Sequence, residues 1–163
     1  MDGQYPTRKC LRLKHYDYSQ PGYYFVTVCT YHRQPLFEPF VGAHLCVRPS
    51  RETCFLVHWL YELEQKYPGV QLDCCAVMPD HMHFILAITV AHAGAPLQEM
   101  LKWYKTQTTN EYIRQVRLGA LPPYEKHIWQ RGYYDHVIRN DSDLHETRAY
   151  IQNNPLKECD SHG

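Results

Sequence analysis

The run Val77-Met78-Pro79-Asp80-His81-Met82-His83-Phe84-Ile85-Leu86 holds two histidines one residue apart. In a strand, residues two apart project from the same face, so His81 and His83 would stand side by side while Met82 and Phe84 enter the opposite face. Paired imidazoles suit a divalent metal. Two ordinary core or surface histidines are the competing reading, since a chain with eleven histidines produces His-x-His by chance. A second run, Leu144-His145-Glu146-Thr147-Arg148-Ala149-Tyr150-Ile151-Gln152-Asn153-Asn154-Pro155, places Tyr150 and Asn154 one helical turn apart. A phenol and an amide oxygen could then face one metal site together. A tyrosine becomes a covalent nucleophile where its target phosphate is polarised and its ordinary pKa of about 10 is lowered. With fourteen tyrosines in the chain, a core tyrosine near a helix end is the alternative.

Between these runs lies Ile128-Trp129-Gln130-Arg131-Gly132-Tyr133-Tyr134-Asp135-His136-Val137-Ile138-Arg139-Asn140. Arg131 and Arg139 are candidate phosphate clamps, and Trp129, Tyr133 and Tyr134 offer faces on which unpaired bases could stack. A core strand with ordinary flanking charges is the competing reading. His136 fits a structural role and a place near the metal equally well. Further cations that could meet a nucleic-acid backbone are Lys105 and an N-terminal group, Arg8, Lys9, Arg12 and Lys14.

Positioning these groups requires a particular set of elements. The β-branched and aromatic run Tyr23 to Tyr31 predicts a strand. Residues 32–49 carry prolines and little pattern. From about Ser50, an N-cap with Glu52 in the first turn precedes Phe55, Leu56, Trp59, Leu60 and Leu63 at helical spacing, and that helix should stop near Pro68-Gly69. Val70 to Met78 and His81 to Val90 read as two strands joined at Pro79-Asp80, a hairpin. Leu97, Met100, Leu101, Tyr104 and Thr108 mark one face of a second helix reaching about Val116. Trp129 to Ile138 predicts a short strand, and Asn140-Asp141-Ser142 caps a third helix ended by Pro155. The order β-α-β-β-α-β-α predicts an α+β domain over residues 1–163. Its core would be a ferredoxin-like (split βαβ), mainly antiparallel sheet with helices on one face, followed by an additional C-terminal helix carrying Tyr150. Residues 1–20 read as a basic arm and 156–163 as a short tail.

Composition narrows the function classes. Seventeen acids balance seventeen Lys and Arg, which excludes a uniformly basic nucleic-acid coat and makes any such site a local stripe. No apolar run reaches the roughly 18–20 residues of a membrane span, and the N-terminal residues lack a signal-peptide pattern, so a cytoplasmic protein is expected. The seven cysteines, at 10, 29, 46, 54, 74, 75 and 159, contain no C-x-x-C pair, which argues for reduced thiols over disulfides or structural zinc. There is no G-x-x-x-x-G-K-[ST] loop.

In combination, PDHMHFIL, WQRGYYDHVIRN and AYIQNNP, in that order, resemble the single-tyrosine HUH transposases, most closely the REP-associated tyrosine transposase branch. The resemblance extends over roughly residues 15–157 and includes the Lys-x-x-Thr helix segment at 105–108. It implies His81 and His83 as metal ligands, Asn154 as a third ligand, Tyr150 as nucleophile, and Mg²⁺ or Mn²⁺ as the cation. The implied activity is a metal-dependent single-stranded DNA endonuclease and strand transferase working at hairpin or palindromic repeats through a 5′-phosphotyrosine. Relatives act as homodimers or as monomers. Two other classes stay open: a catalytically inactive single-stranded nucleic-acid binding module of the same descent, and a small zinc-binding regulator.

Overall fold

The computed structural model describes residues 16–18, 20–45, 54–90 and 95–160, with backbone alone for 43–45 and 155–160. Its strands are β1 (Gly22–Cys29), β2 (Gly42–Leu45), β3 (Val70–Val77), β4 (His81–Ile88) and β5 (Tyr134–Ile138), and its helices are α1 (Phe55–Lys66), α2 (Leu97–Arg117) and α3 (Asp141–Asp160). They form one five-stranded sheet in the order β2-β3-β4-β1-β5, antiparallel at every step. Without β2, the order β3-β4-β1-β5 with intervening α1 and α2 is the split-βαβ plan expected from the sequence.

Alternation along β1 separates the two sides of the sheet. Tyr24, Val26 and Val28 are fully buried in the larger core, together with Met82, Phe84 and Leu86 of β4 and the inner faces of α1 and α2. Helix α2 presents Leu97, Met100, Leu101, Tyr104 and Thr108 to this core as its periodicity predicted, and Tyr112 extends the stripe. The other side of the sheet is covered by α3, whose Leu144 and Ile151 pack with Cys74, Ala76, Ile85 and Ile138. Each such buried aliphatic side chain contributes about 1.5–3 kcal/mol, a modest footing for a helix of 20 residues.

The β3–β4 hairpin forms as the Pro79-Asp80 turn predicted, with the Met78 amide donating to the His81 carbonyl at 2.9 Å. Its tip is fastened from outside. The Thr30 amide and hydroxyl both donate to the Asp80 carbonyl, and the Phe37 amide donates to that of Pro79.

Several boundaries differ from expectation. Strand β2 lies in the segment that carried little pattern, because a four-residue edge strand is held by backbone pairing to β3 and needs no alternation of its own. Helix α1 starts at Phe55 after Cys54; Ser50 and Glu52 lie outside the described residues. The strand expected from Trp129 begins only at Tyr134. Trp129 makes an isolated bridge to Thr30, and the chain then leaves the sheet through Gly132, whose φ of +79° is left-handed backbone that favours glycine. Helix α3 does not stop at Pro155 but runs to Asp160, forgoing the single backbone donor that proline lacks.

Candidate active site

The register of β4 against β1 places His83 opposite Thr27 and His81 opposite Cys29. Directly paired residues share a face, so the imidazoles look toward α3 while Met82 and Phe84 look toward α1 and α2. Met82 and Phe84 have no exposure, and the Tyr104 hydroxyl donates to the Met82 sulfur at 2.9 Å. The division of faces read from the His-x-His spacing is therefore the one adopted.

The two Nε2 atoms lie 3.1 Å apart. Neighbouring ligands on a small octahedral cation with bonds of about 2.1 Å are separated by about 3 Å, so this donor pair fits Mg²⁺ or Mn²⁺. The remaining ring nitrogens are both anchored: Nδ1 of His81 to Asp80 Oδ1 at 2.6 Å, and Nδ1 of His83 to Thr27 Oγ1 at 2.7 Å. Such anchoring of the far nitrogen is what orients imidazoles at metal sites. Burial, assisted by His81 and Arg33, pushes the His83 pKa down to about 3, which keeps the ring neutral and able to donate a lone pair. Burial alone would push the Asp80 carboxyl up. The His81 hydrogen bond and the Arg33 guanidinium together outweigh it and hold Asp80 below the usual carboxylate range.

Arg33 Nε sits 3.0 Å from Asp80 Oδ2, and Arg33 Nη1 donates to the Cys29 sulfur at 2.8 Å. It reaches both from a tight turn in which His32 and Arg33 have φ of +52° and +56°. Two consecutive non-glycine residues in left-handed backbone are costly, and here they aim a guanidinium at the carboxylate behind the histidine pair.

Tyr150 of α3 reaches the same place. Its ring centroid lies 5.4 Å from that of His83, edge to face, and the side chain is 49% exposed. Phe25 completes the wall, stacked on His83 at 5.4 Å and edge-on to Tyr150 at 6.2 Å. The tyrosine therefore meets His83 of its own chain. Helix α3 is capped by Asn140, whose Oδ1 accepts from the Asp143 amide, and is held in place by the bidentate pair of Arg148 with Asp73.

The structure treats the remaining sequence candidates unequally. Asn154 follows Tyr150 by one turn and is half-buried, but among the described residues no hydrogen bond joins it to either imidazole. His136 shares a hydrogen bond with Asp143 Oδ2 at 2.8 Å, which ties it to the first turn of α3 rather than to the histidine pair. Arg139 is exposed at the β5–α3 junction, and Arg131 is exposed on the loop before β5. Lys105 donates to the carbonyls of Gln130 (2.8 Å) and Gly132, bracing that loop against α2. Tyr133 is half-buried and Tyr134 is exposed. Trp129 is a correction: it is 8% exposed, packs on Phe37 and Tyr104, and its indole N–H donates to Thr108 Oγ1, so its faces are closed to a base. Arg8, Lys9, Arg12 and Lys14 lie outside the described residues.

Sequence reasoning passed over Asp80, Thr27, Phe25, Arg33 and the Asp73–Arg148 pair. Asp80 adjoins the motif and was legible as a carboxylate beside a candidate ligand histidine. The others depend on strand register and helix docking. Among the described residues no group of three or more His, Cys, Asp or Glu is placed to hold a metal ion, so the thiolate-bearing cluster that a zinc regulator needs is not formed by them. No helix among them is long and apolar enough to cross a membrane.

Comparison with known proteins finds relatives of this chain. An uncharacterized protein of Haemophilus influenzae is 29% identical over 161 residues, covering 91% of this chain and 88% of its own length. A second protein of that organism, provisionally named a REP-associated tyrosine transposase, is 26% identical over 149 residues, covering 86% and 74%. The solved structure of a REP-associated tyrosine transposase bound to a REP hairpin has the same fold, with a TM-score of 0.58 at 23% identity, covering 85% of this chain and 69% of its own. A provisionally named transposase from Deinococcus radiodurans matches with a TM-score of 0.52 at 16% identity, covering 82% and 91%. The family model described as "Transposase IS200 like" matches residues 18–154, a span that includes the histidine pair, the 129–139 segment and Tyr150, and the chain belongs to that family.

Proposed function

We propose that this chain is a metal-dependent, single-stranded DNA endonuclease and strand transferase that uses Tyr150 as its nucleophile and acts at hairpin-forming repeats. The observation that carries the reading is the contact of Tyr150 with His83, itself paired with His81, within one chain. The two imidazoles, with Asn154 as a further oxygen donor, would hold Mg²⁺ or Mn²⁺. When bound, the cation supplies positive charge that polarises a phosphodiester.

The chain's own groups account for the remainder. Asp80 and Thr27 hold the imidazoles in place, and Phe25 fixes the ring of His83 relative to Tyr150. The Tyr150 oxygen attacks phosphorus, the bond from phosphorus to the 3′ oxygen breaks, and the 5′-phosphate becomes esterified to the tyrosine. The phenolic proton passes to solvent, to which Tyr150 is half open, and the departing 3′ oxygen takes one up. Attack by another 3′-OH on the phosphotyrosine reverses the step and joins strands, with no nucleotide cofactor required. Hairpin DNA as substrate is supported by a structural relative that was solved with a REP hairpin.

The test is incubation with single-stranded oligonucleotides carrying repeat hairpins, with Mg²⁺ or Mn²⁺, followed by denaturing electrophoresis. A cation-dependent protein–DNA adduct that maps to Tyr150 is the expected product. Tight binding of the same DNA with no cleavage or adduct would show a binding module that has lost its chemistry.

A further inference from the structure

Among the described residues, a group of basic side chains lies on the other side of the 130–133 segment from the histidine–tyrosine cluster. There a cavity of about 530 Å³ opens between the solvent face of α2 and residues 124–133. Helix α2 lines it with Lys102, Thr106 and Thr109, which share one helix face, and the facing segment contributes Lys126 and Arg131. Lys102, Lys126 and Arg131 are all exposed. The ammonium of Lys105, held by the Gln130 and Gly132 carbonyls, adds a further positive charge at the floor. None of the residues lining this cavity is an acid, in a chain whose net charge is zero.

A second cavity, of about 600 Å³, shares Gln130, Arg131, Gly132 and Tyr133 with the first and continues to Cys29, Tyr31, His32 and Tyr134. It too is lined without acids. Cys29 is the register partner of His81, and Tyr134 is the partner of Thr27, so this end opens beside the catalytic face. The Gln130 amide donates to the Cys29 carbonyl while its carbonyl accepts from Lys105, which joins the two cavities through one braced wall. Around the second cavity, Tyr31 and His32 stack at 3.9 Å, and Tyr134 is 37% exposed.

We infer that the two cavities form one track for a single-stranded DNA flank. The flank leaves the scissile phosphate beside Tyr134, crosses the 130–133 segment and places its phosphodiesters on Arg131, Lys126 and Lys102. This inference rests on the proposed cleavage at Tyr150 and specifies where the uncleaved part of the same strand is held. A duplex would not serve: bases must be unpaired to meet the Tyr31–His32 and Tyr134 faces, and an acid-free track of lysine and arginine reads backbone charge without reading sequence.

The test uses a hairpin oligonucleotide with single-stranded flanks of about ten nucleotides on both sides, and derivatives lacking one flank or the other. Binding is measured by fluorescence anisotropy at several salt concentrations, and adduct formation with Mn²⁺ is measured in parallel. The double variant K102E/K126E should bind the two-flank DNA at least tenfold more weakly than the wild type. Its dependence of log K on log salt should be shallower by about 0.7 for each lost phosphate contact. Removing one of the two flanks should weaken the wild type to the same degree and leave the double variant nearly unchanged, because the same contacts are already gone. R117E, a charge reversal on the same helix outside both cavities, is the control for net charge. Undiminished affinity of K102E/K126E, an equal loss in R117E, or an equal further loss when the flank is removed from the double variant would overturn the track. Adduct formation by the wild type in those cases would leave the cleavage reading standing. Failure of the wild type to form adduct on any substrate would strike the cleavage reading, and with it the scissile phosphate beside Tyr134, while the flank measurements, being of binding, would still decide the track.

Discussion

Arg148 and Asp73, 75 residues apart, form a bidentate ion pair with N–O distances of 2.8 and 2.5 Å, and this pair sets the position of the helix that carries Tyr150. Asp73 falls where the β3–β4 register shifts between Leu72 and Cys74, a bulge that takes it out of regular pairing. Arg148 lies two residues before the tyrosine. The Asp73 hydrogen bonds, acting against the cost of partial burial, raise the guanidinium pKa above its ordinary value.

Breaking this pair should therefore affect chemistry more than binding. Asp73→Asn or Arg148→Ala is expected to cost about 1–2 kcal/mol of stability, toward the low end for charge-assisted bonds because Arg148 is partly exposed. The rate of adduct formation should fall by more than tenfold while DNA affinity changes little. Exchanging the two residues, D73R/R148D, should recover part of the rate, measured by quenched time courses on denaturing gels. An unchanged rate in both single variants would mean that the Leu144 and Ile151 packing positions α3 unaided.

Tyr150→Phe keeps the ring that packs on His83 and Phe25 and removes the oxygen proposed as nucleophile. Melting temperature and DNA affinity should stay close to wild type while cleavage and adduct disappear. Undiminished cleavage by this variant would refute the assignment of the nucleophile.

The histidine pair can be tested apart from DNA. His81→Ala and His83→Ala should each abolish Mn²⁺ binding in calorimetric titration, as well as Mn²⁺-dependent cleavage. Thr27→Val, which removes only the hydroxyl bonded to His83 Nδ1, should weaken Mn²⁺ about 10–100-fold, the usual effect of losing a partner behind a metal ligand. Full Mg²⁺-dependent activity in the double alanine variant would remove the pair from the mechanism.

Trp129 gives a prediction of stability alone. Thr108→Val leaves its buried indole N–H without an acceptor and should cost about 1–3 kcal/mol. For a chain of this size that lowers the melting temperature by roughly 2–4 °C per kcal/mol, measurable by calorimetry. A melting temperature equal to wild type would show that the bond contributes little.

The sequence alone was enough to place the two histidines of the candidate site locally. His81 and His83 share a face because a strand has period two, and Pro79-Asp80 turned the chain there because proline suits the turn and cannot donate to a ladder. The inner stripe of α2 and the Asn140 cap of α3 were legible for the same kind of reason: each depends on residues within a few positions of one another. Tyr150 was recognisable only as a helical residue in a family motif.

Tertiary structure decided what that tyrosine touches. Its contact with His83 spans 67 positions and requires α3 to cross the sheet on the face away from α1 and α2, a choice made by Leu144, Ile151 and the Arg148–Asp73 pair. The β1 run was β-branched and aromatic throughout, so nothing in it marked Phe25 and Thr27 as the residues facing the imidazoles until pairing with β4 set the register. Trp129 had the composition of an open stacking surface, and burial against Phe37 and Tyr104 made it core. Helical and strand periods are local and so can be read along the chain. Which faces meet is settled by packing among distant segments, where burial and a few buried polar bonds outweigh local preference.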